Sequence, residues 1–232
     1  MPTPLHLLSG GAAQGLVRTL QAGFEARTGA KIEATYGAVG AMKERLMSGA
    51  PCDVLILTQA LIDELTVKGD VVAGSTRPLG VVQTGLAVKE GAPSPDVTDS
   101  AGLRRWLEGA SEIYFPDPAK ATAGIHFMKV LTALGLAESL APRLRTFPNG
   151  ATAMGALAQA NDARSVGCTQ VTEIIITPGI RLDGLLPPPH QLATTYTGAV
   201  CTRAAQPQLA KLLVEALGAG EAAEARRQAG FA

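Results

Sequence analysis

The stretch Leu5-His6-Leu7-Leu8-Ser9-Gly10-Gly11-Ala12-Ala13-Gln14-Gly15 sets the reading of the chain. Its apolar first half reads as a short strand. Its small-residue second half is a corner that opens a helix, because Leu16, Val17, Leu20 and Phe24 then recur at helical spacing to about Arg27. Such a corner exposes free N–H groups where the helix dipole gathers positive charge, which suits an anion. Gly10 and Gly11 let a ligand approach the backbone, and Ser9 adds a rotatable hydroxyl. Gly10-x-Ala12-x-x-Gly15, with Glu33 downstream, also approximates a dinucleotide fingerprint. Ala12 replaces the glycine that admits the pyrophosphate, and Glu33 falls within a strand rather than at its end, so the nucleotide reading is the weaker one.

The strand, corner and helix recur downstream. Lys31–Tyr36 reads as a strand, Tyr36-Gly37-Ala38-Val39-Gly40 as its corner and 41–48 as a helix. Asp53–Leu57 is the third strand, and Thr58 is placed to cap a helix over 59–67. Repeated β-α units predict parallel strands joined by right-handed crossovers, with ligands beyond the strands' carboxyl ends. From Arg77 to Val88 the pattern becomes one long extended segment, followed by the turn-rich Gly91-Ala92-Pro93-Ser94-Pro95. Alternation then resumes, with helices at 100–107, 124–134 and 152–160 and strands at 112–115, 144–147 and 165–168. After Pro187-Pro188-Pro189 comes a second long apolar segment, 192–202, and then helices over 208–217 and 221–228. The chain is therefore expected to leave a first lobe and return to it.

Composition narrows the class. Lys+Arg number 20 and Asp+Glu 20, so there is no excess of positive charge to neutralise phosphates, and nucleic acid is not expected as a partner. Aromatics are only 4% of the residues, too few for base-stacking platforms. No apolar run reaches the roughly 20 residues of a membrane span, so direct membrane insertion is not expected either. Met1-Pro2-Thr3-Pro4 has neither a basic region nor a long apolar segment after it. As written, the chain is expected in the cytoplasm, or in the periplasm if an export segment has been removed. Cys52, Cys168 and Cys201 are odd in number and lack CxxC spacing, which predicts buried thiols, with no structural disulfide and no cysteine metal site. No cofactor motif stands out.

Ser9, Tyr36-Gly37-Ala38-Val39-Gly40, Met47-Ser48-Gly49-Ala50-Pro51-Cys52-Asp53-Val54, and Asp117-Pro118 with Thr122-Ala123-Gly124 occur in the order found in one family. Together they resemble the molybdate-binding family of periplasmic-type (type 2) solute receptors, and Gly49–Val54 is the most diagnostic element. The resemblance spans most of the chain and implies a two-lobed α/β fold. In such a fold parallel-rich sheets are flanked by helices, two crossing strands form the hinge, and a small anion binds in the interlobe cleft. Residues 1–80 with 197–232 would form one lobe and 81–196 the other. Carried over by position, Ser9, Gly10, Gly11, Ala38, Val39 and Thr58 fall in the first lobe's ligand corners. Thr122, Ala123, Gly124, Gly150, Thr169 and Gln170 fall in those of the second, and Tyr196 lies near the cleft. Val39 stands where molybdate receptors carry a second serine, and Gln170 where they carry a tyrosine. A tetrahedral oxyanion would lose two hydroxyl donors, each contributing about 1 kcal/mol.

For an exported receptor, the resemblance implies a partner in the membrane component of an ABC transporter. It also reaches relatives resembling aconitate isomerase, which implies a cytosolic isomerase of a di- or tricarboxylate using the same cleft. In that alternative His126, near the start of a helix, is the candidate general base, and Lys43, Arg45 or Lys120 are candidate charge partners. The opposing reading of His126 is a half-buried helix residue beside Ile125 and Phe127. Asp53 is as well explained by local backbone capping, whereas Asp117 is better explained as a turn-forming residue before proline and Glu173 by a helix-dipole role.

Overall fold

The computed structural model describes residues 4–94 and 96–232. Met1–Thr3 and the Pro95 of the turn-rich stretch lie outside them. In chain order the elements are β1 (Leu5–Gly10), a 3-10 turn (Gly11–Ala13), α1 (Gln14–Thr28), β2 (Ile32–Gly37), α2 (Val39–Met47), β3 (Val54–Thr58) and α3 (Gln59–Val67). β4 (Arg77–Lys89), α4 (Ser100–Gly109), β5 (Ile113–Pro116), α5 (Thr122–Ala133), α6 (Ala137–Leu140), β6 (Leu144–Phe147) and α7 (Gly150–Ala158) follow. The chain ends with β7 (Val166–Gln170), α8 (Val171–Ile175), β8 (Ile180–Leu185), β9 (Ala193–Val200), α9 (Pro207–Gly218) and α10 (Ala223–Gln228). It divides into two compact units, residues 1–82 with 194–232 and residues 83–193.

In the first unit the strand order is β2-β1-β3-β9, with β4 beside β9. β1 runs parallel to β2 and β3, as the crossovers through α1 and α2 require, whereas β9 returns antiparallel to β3. Val54, Leu55, Ile56 and Leu57 of β3 are all buried, the continuous apolar run of a strand covered on both faces. α9 closes one face with Ala210, Leu213, Val214 and Leu217, a stripe at helical spacing. The C-terminus is tied to β4 by paired amide bonds of 2.9 Å between Val81 and Ala232. Gly80 makes that approach sterically feasible: its φ is +141°, and a β-carbon there would stand 2.9 Å from the Ala232 carbonyl oxygen.

In the second unit the order is β4-β7-β5-β6. β5 is parallel to both β6 and β7, and β4 runs antiparallel to β7 and β8. Phe115 of β5 and Phe127 of α5 meet edge to face, with centroids 5.3 Å apart, in a core with Leu103, Leu107 and Leu131. The fold is thus α/β with mixed, mostly parallel sheets flanked by helices. β8, α6 and α8 are absent from the sequence reading. Arg181 and Asp183 interrupt the apolar content of β8, which is only partly buried and pairs with β4 through a register shift at Leu86/Ala87.

Candidate functional site

In the first unit β2, β1 and β3 are neighbours running in one direction, so their carboxyl ends share one edge. Register sets Ser9 opposite both Tyr36 and Ile56, and Gly10 opposite Gly37. The residues that open the next turns of helix are Gly10, Ala38 and Thr58, and none of their side chains bonds to the helix amides. α4 and α7 in the second unit differ: Asp99 accepts from Gly102 N and Asn149 from Thr152 N, which satisfies groups otherwise orphaned at a helix start. Gly11, Ala38 and Val39 are buried, and Thr58 is half-buried. The Ser9 side chain is wholly buried, and its hydroxyl donates to the Gly10 carbonyl at 2.8 Å.

Tyr196 is in register with Thr58. A β-carbon on Gly10 would come within 2.8 Å of Val39 Cγ1 and 3.2 Å of Tyr196 Cε1. The first unit therefore gathers Ser9, Gly10, Val39, Thr58 and Tyr196 around one corner. A further hydroxyl, absent from the sequence reading, belongs to Tyr36. It is buried without a hydrogen-bond partner among the described residues, and desolvation pushes it up to about 12 against the lowering effect of Arg18.

In the second unit α5 starts from Ala121, which also supplies no side-chain cap. Thr122 is half-buried at its first position, and Ala123 and Gly124 are buried. A β-carbon on Gly124 would stand 2.3 Å from the carbonyl oxygens of both Pro116 and Asp117, so glycine here allows α5 to seat on the end of β5. Asp117 accepts from Ala119 N and Lys120 N, an ordinary turn role.

Around Gly150, Thr169 and Gln170 the chain supplies its own carboxyl group. Glu173 is buried, and its Oε2 accepts from the Thr169 hydroxyl at 2.6 Å. The amides of Ala151, Gly150 and Gln170 also bond to that carboxylate, partly offsetting the burial that raises its pKa. A β-carbon on Gly150 would fall 2.0 Å from Glu173 Oε2 and 2.1 Å from Thr169 Oγ1. The start of α7 is thus occupied from within. In sequence Glu173 reads as a first-turn acid of its own helix; its partners on α7 lie some twenty residues earlier and carry no local signal. Thr84, in register with Gln170, is a buried hydroxyl with no partner among the described residues.

His126 is half-buried on α5, and its Nε2 lies 2.8 Å from the carbonyl oxygen of His190. That carbonyl can only accept, so Nε2 carries the proton and Nδ1 is left as the basic nitrogen of the neutral ring. His190 in turn meets Ser100 Oγ at 2.9 Å. Among the candidate charge partners, Lys43 is paired with Glu64 at 2.7 Å, and with Lys68 it holds that carboxylate down at about 2. Asp53 accepts from the amides of His6 and Gln206 at 2.7 and 2.8 Å, a structural clamp within the first unit. No group of His, Cys, Asp and Glu among the described residues is arranged to hold a metal ion, and no helix among them is long and apolar enough to cross a membrane.

The profile described as bacterial extracellular solute-binding protein matches residues 5–232. An aconitate isomerase from Pseudomonas sp. is 30% identical over 235 residues, covering 99% of this chain and 87% of that protein. The periplasmic molybdate-binding protein of Azotobacter vinelandii superposes with a TM-score of 0.80 at 19% identity, covering 98% of both chains. The sulfate-binding protein SubI from Mycobacterium tuberculosis gives 0.75 at 17% identity, covering 99% of this chain and 86% of the other. At these identities the two structures speak for the fold.

Proposed function

Because the chain belongs to the bacterial extracellular solute-binding protein family, we propose that it binds a small anion, a di- or tricarboxylate rather than a tetrahedral oxyanion. The observation that carries this reading is the set of three neighbouring corners after β1, β2 and β3, where Gly10 opens a 3-10 turn and Ala38 and Thr58 open α2 and α3, all without a capping side chain. Their amides are donors suited to carboxylate oxygens, and at helix starts the dipole adds to the attraction. Val39 brings a buried isopropyl group where a hydroxyl would serve a compact oxyanion. Thr58 supplies a hydroxyl, the buried Ser9 hydroxyl holds the Gly10 carbonyl of the first corner, and Tyr196 packs against that corner. In an exported receptor the ligand would pass to a membrane transport component. Thermal shift against citrate, trans-aconitate, sulfate, phosphate and molybdate tests the proposal, since a ligand that binds only the folded state stabilises it. The carboxylates should raise Tm most, and no shift with any of the five would reject it.

A second reading is proton transfer on the bound carboxylate, favoured by the 30% identity to an aconitate isomerase across 99% of the chain. His126 is its candidate base through Nδ1, with Nε2–H held by the His190 carbonyl. Incubation with aconitate in deuterated buffer should then incorporate deuterium or interconvert isomers, and His126→Ala should abolish both while leaving binding. Absence of turnover leaves the binding function alone.

A further inference from the structure

The return of the chain into the first unit brings together two thiols that are 149 residues apart in sequence. Sγ of Cys201 lies 3.3 Å from Sγ of Cys52, and Cys52 Sγ in turn lies 3.2 Å from the Val54 carbonyl oxygen. Both cysteines are free and buried, Cys52 at 8% exposure and Cys201 at 1%. The backbone holds them from both sides. Cys201 N donates to Asp53 O at 3.0 Å, continuing the β3–β9 ladder past Val54 and Val200, and Cys201 also bridges to Val71. Asp53, between Cys52 and Val54, clamps the amides of His6 and Gln206. The two sulfurs therefore face each other across a strand pair fixed at this end, and bonding requires a closure of about 1.2 Å, to the roughly 2.05 Å of a disulfide.

We propose that Cys52 and Cys201 form a reversible disulfide that clasps the returning segment of the chain to its first segment. With a small-molecule disulfide as oxidant, the Cys52 thiolate, the more exposed of the two, attacks one oxidant sulfur. The oxidant S–S bond breaks and one thiol leaves. Cys201 then attacks Sγ of Cys52, giving up its proton, and the second oxidant thiol leaves. Two cysteine thiols are oxidised and one oxidant disulfide is reduced to two thiols. The bond closes a loop that includes the whole of residues 83–193, so it constrains the unfolded chain strongly. It sits at the Val54/Val200 end of the ladder, whereas Thr58 and Tyr196 pair at the other end. Ligand affinity should therefore be unchanged while stability rises. Cys168, buried in the other unit, is the internal control.

The full-length chain is reduced, unfolded and refolded in oxidised glutathione buffer, which removes burial as a barrier to reaction. Free thiols are then blocked and the protein is digested without reduction. A peptide joining Cys52 to Cys201 is expected, with Cys168 blocked as a free thiol. Tm should rise by at least about 3 °C, and dithiothreitol should reverse the rise. Cys52→Ser and Cys201→Ser should each lose the linked peptide and the redox-dependent shift. Three blocked cysteines in the refolded protein, or a link to Cys168, would overturn the proposal.

Discussion

Gly10 and Val39 are packed so closely that a single methyl on Gly10 would stand 2.8 Å from Cγ1 of Val39. The first and second βα corners of the first unit are thereby held against each other, so the amides after β1 and those opening α2 keep a fixed relation. The small side chain is a requirement of packing as well as of access. Corners that must stay together for folding are also positioned for a common ligand before it arrives, which limits the ordering that binding would otherwise cost.

Gly10→Ala should destabilise the protein by about 1–3 kcal/mol through overpacking. The double variant Gly10→Ala/Val39→Ala should recover part of that loss, because the nearest contact disappears while Tyr196 Cε1 remains at 3.2 Å. Urea unfolding of the single and double variants measures the coupling. Strict additivity would separate the two corners.

Val39→Ser restores a hydroxyl to the second corner. On the carboxylate reading this variant should gain affinity for sulfate or molybdate relative to citrate, by about tenfold for one added hydrogen bond to an ion. Competition titration of the two ligand classes gives the ratio, and an unchanged ratio would remove Val39 from the specificity of the site.

Burial raises the Glu173 carboxyl above its ordinary value of 4.5. The folded state then holds a proton more tightly than the unfolded chain, so this contribution is complete at pH values below the ordinary carboxyl range. It is lost as pH rises through the folded-state value. Glu173→Gln should flatten the decline of stability on the alkaline side of pH 4.5, followed by urea unfolding at successive pH values. Gly150→Ala should be strongly destabilising, because its methyl would occupy the position of the Glu173 carboxylate.

Glu25 behaves in the opposite sense. The Ile32 amide, then Lys31 and Gln21, hold its carboxyl down at about 2 from 4.5. Its stabilisation is present above the ordinary value and is lost as pH falls from 4.5 toward 2. Glu25→Gln should shallow the acid limb of the same stability profile, leaving the alkaline limb as in the parent protein.

The contrast between Ser9 and Glu173 shows why some of the site was legible in sequence and some was not. Ser9 sits between an apolar strand and a small-residue turn, and that local order announces a strand, a corner and a helix. The corners at Ala38 and Thr58 follow the same rule, as do the helices over α1, α3 and α9 and the family resemblance itself. Glu173 acquires its meaning from amides on α7, Cys52 from a sulfur at the far end of the chain, and His126 from the carbonyl of His190. Each of these pairings is made by tertiary return of the backbone, which leaves no periodicity to read. β8 escaped for a related reason, since a partly buried edge strand with Arg181 and Asp183 has no continuous apolar signature.

Isothermal titration of citrate and trans-aconitate into the parent protein and into Ser9→Ala and Thr58→Val tests most directly whether the uncapped corners hold an anion. Saturable binding of at least one carboxylate, weakened by each substitution by about 1–3 kcal/mol, is the predicted result. Equal affinity in all three proteins, or no heat from either ligand, would contradict it.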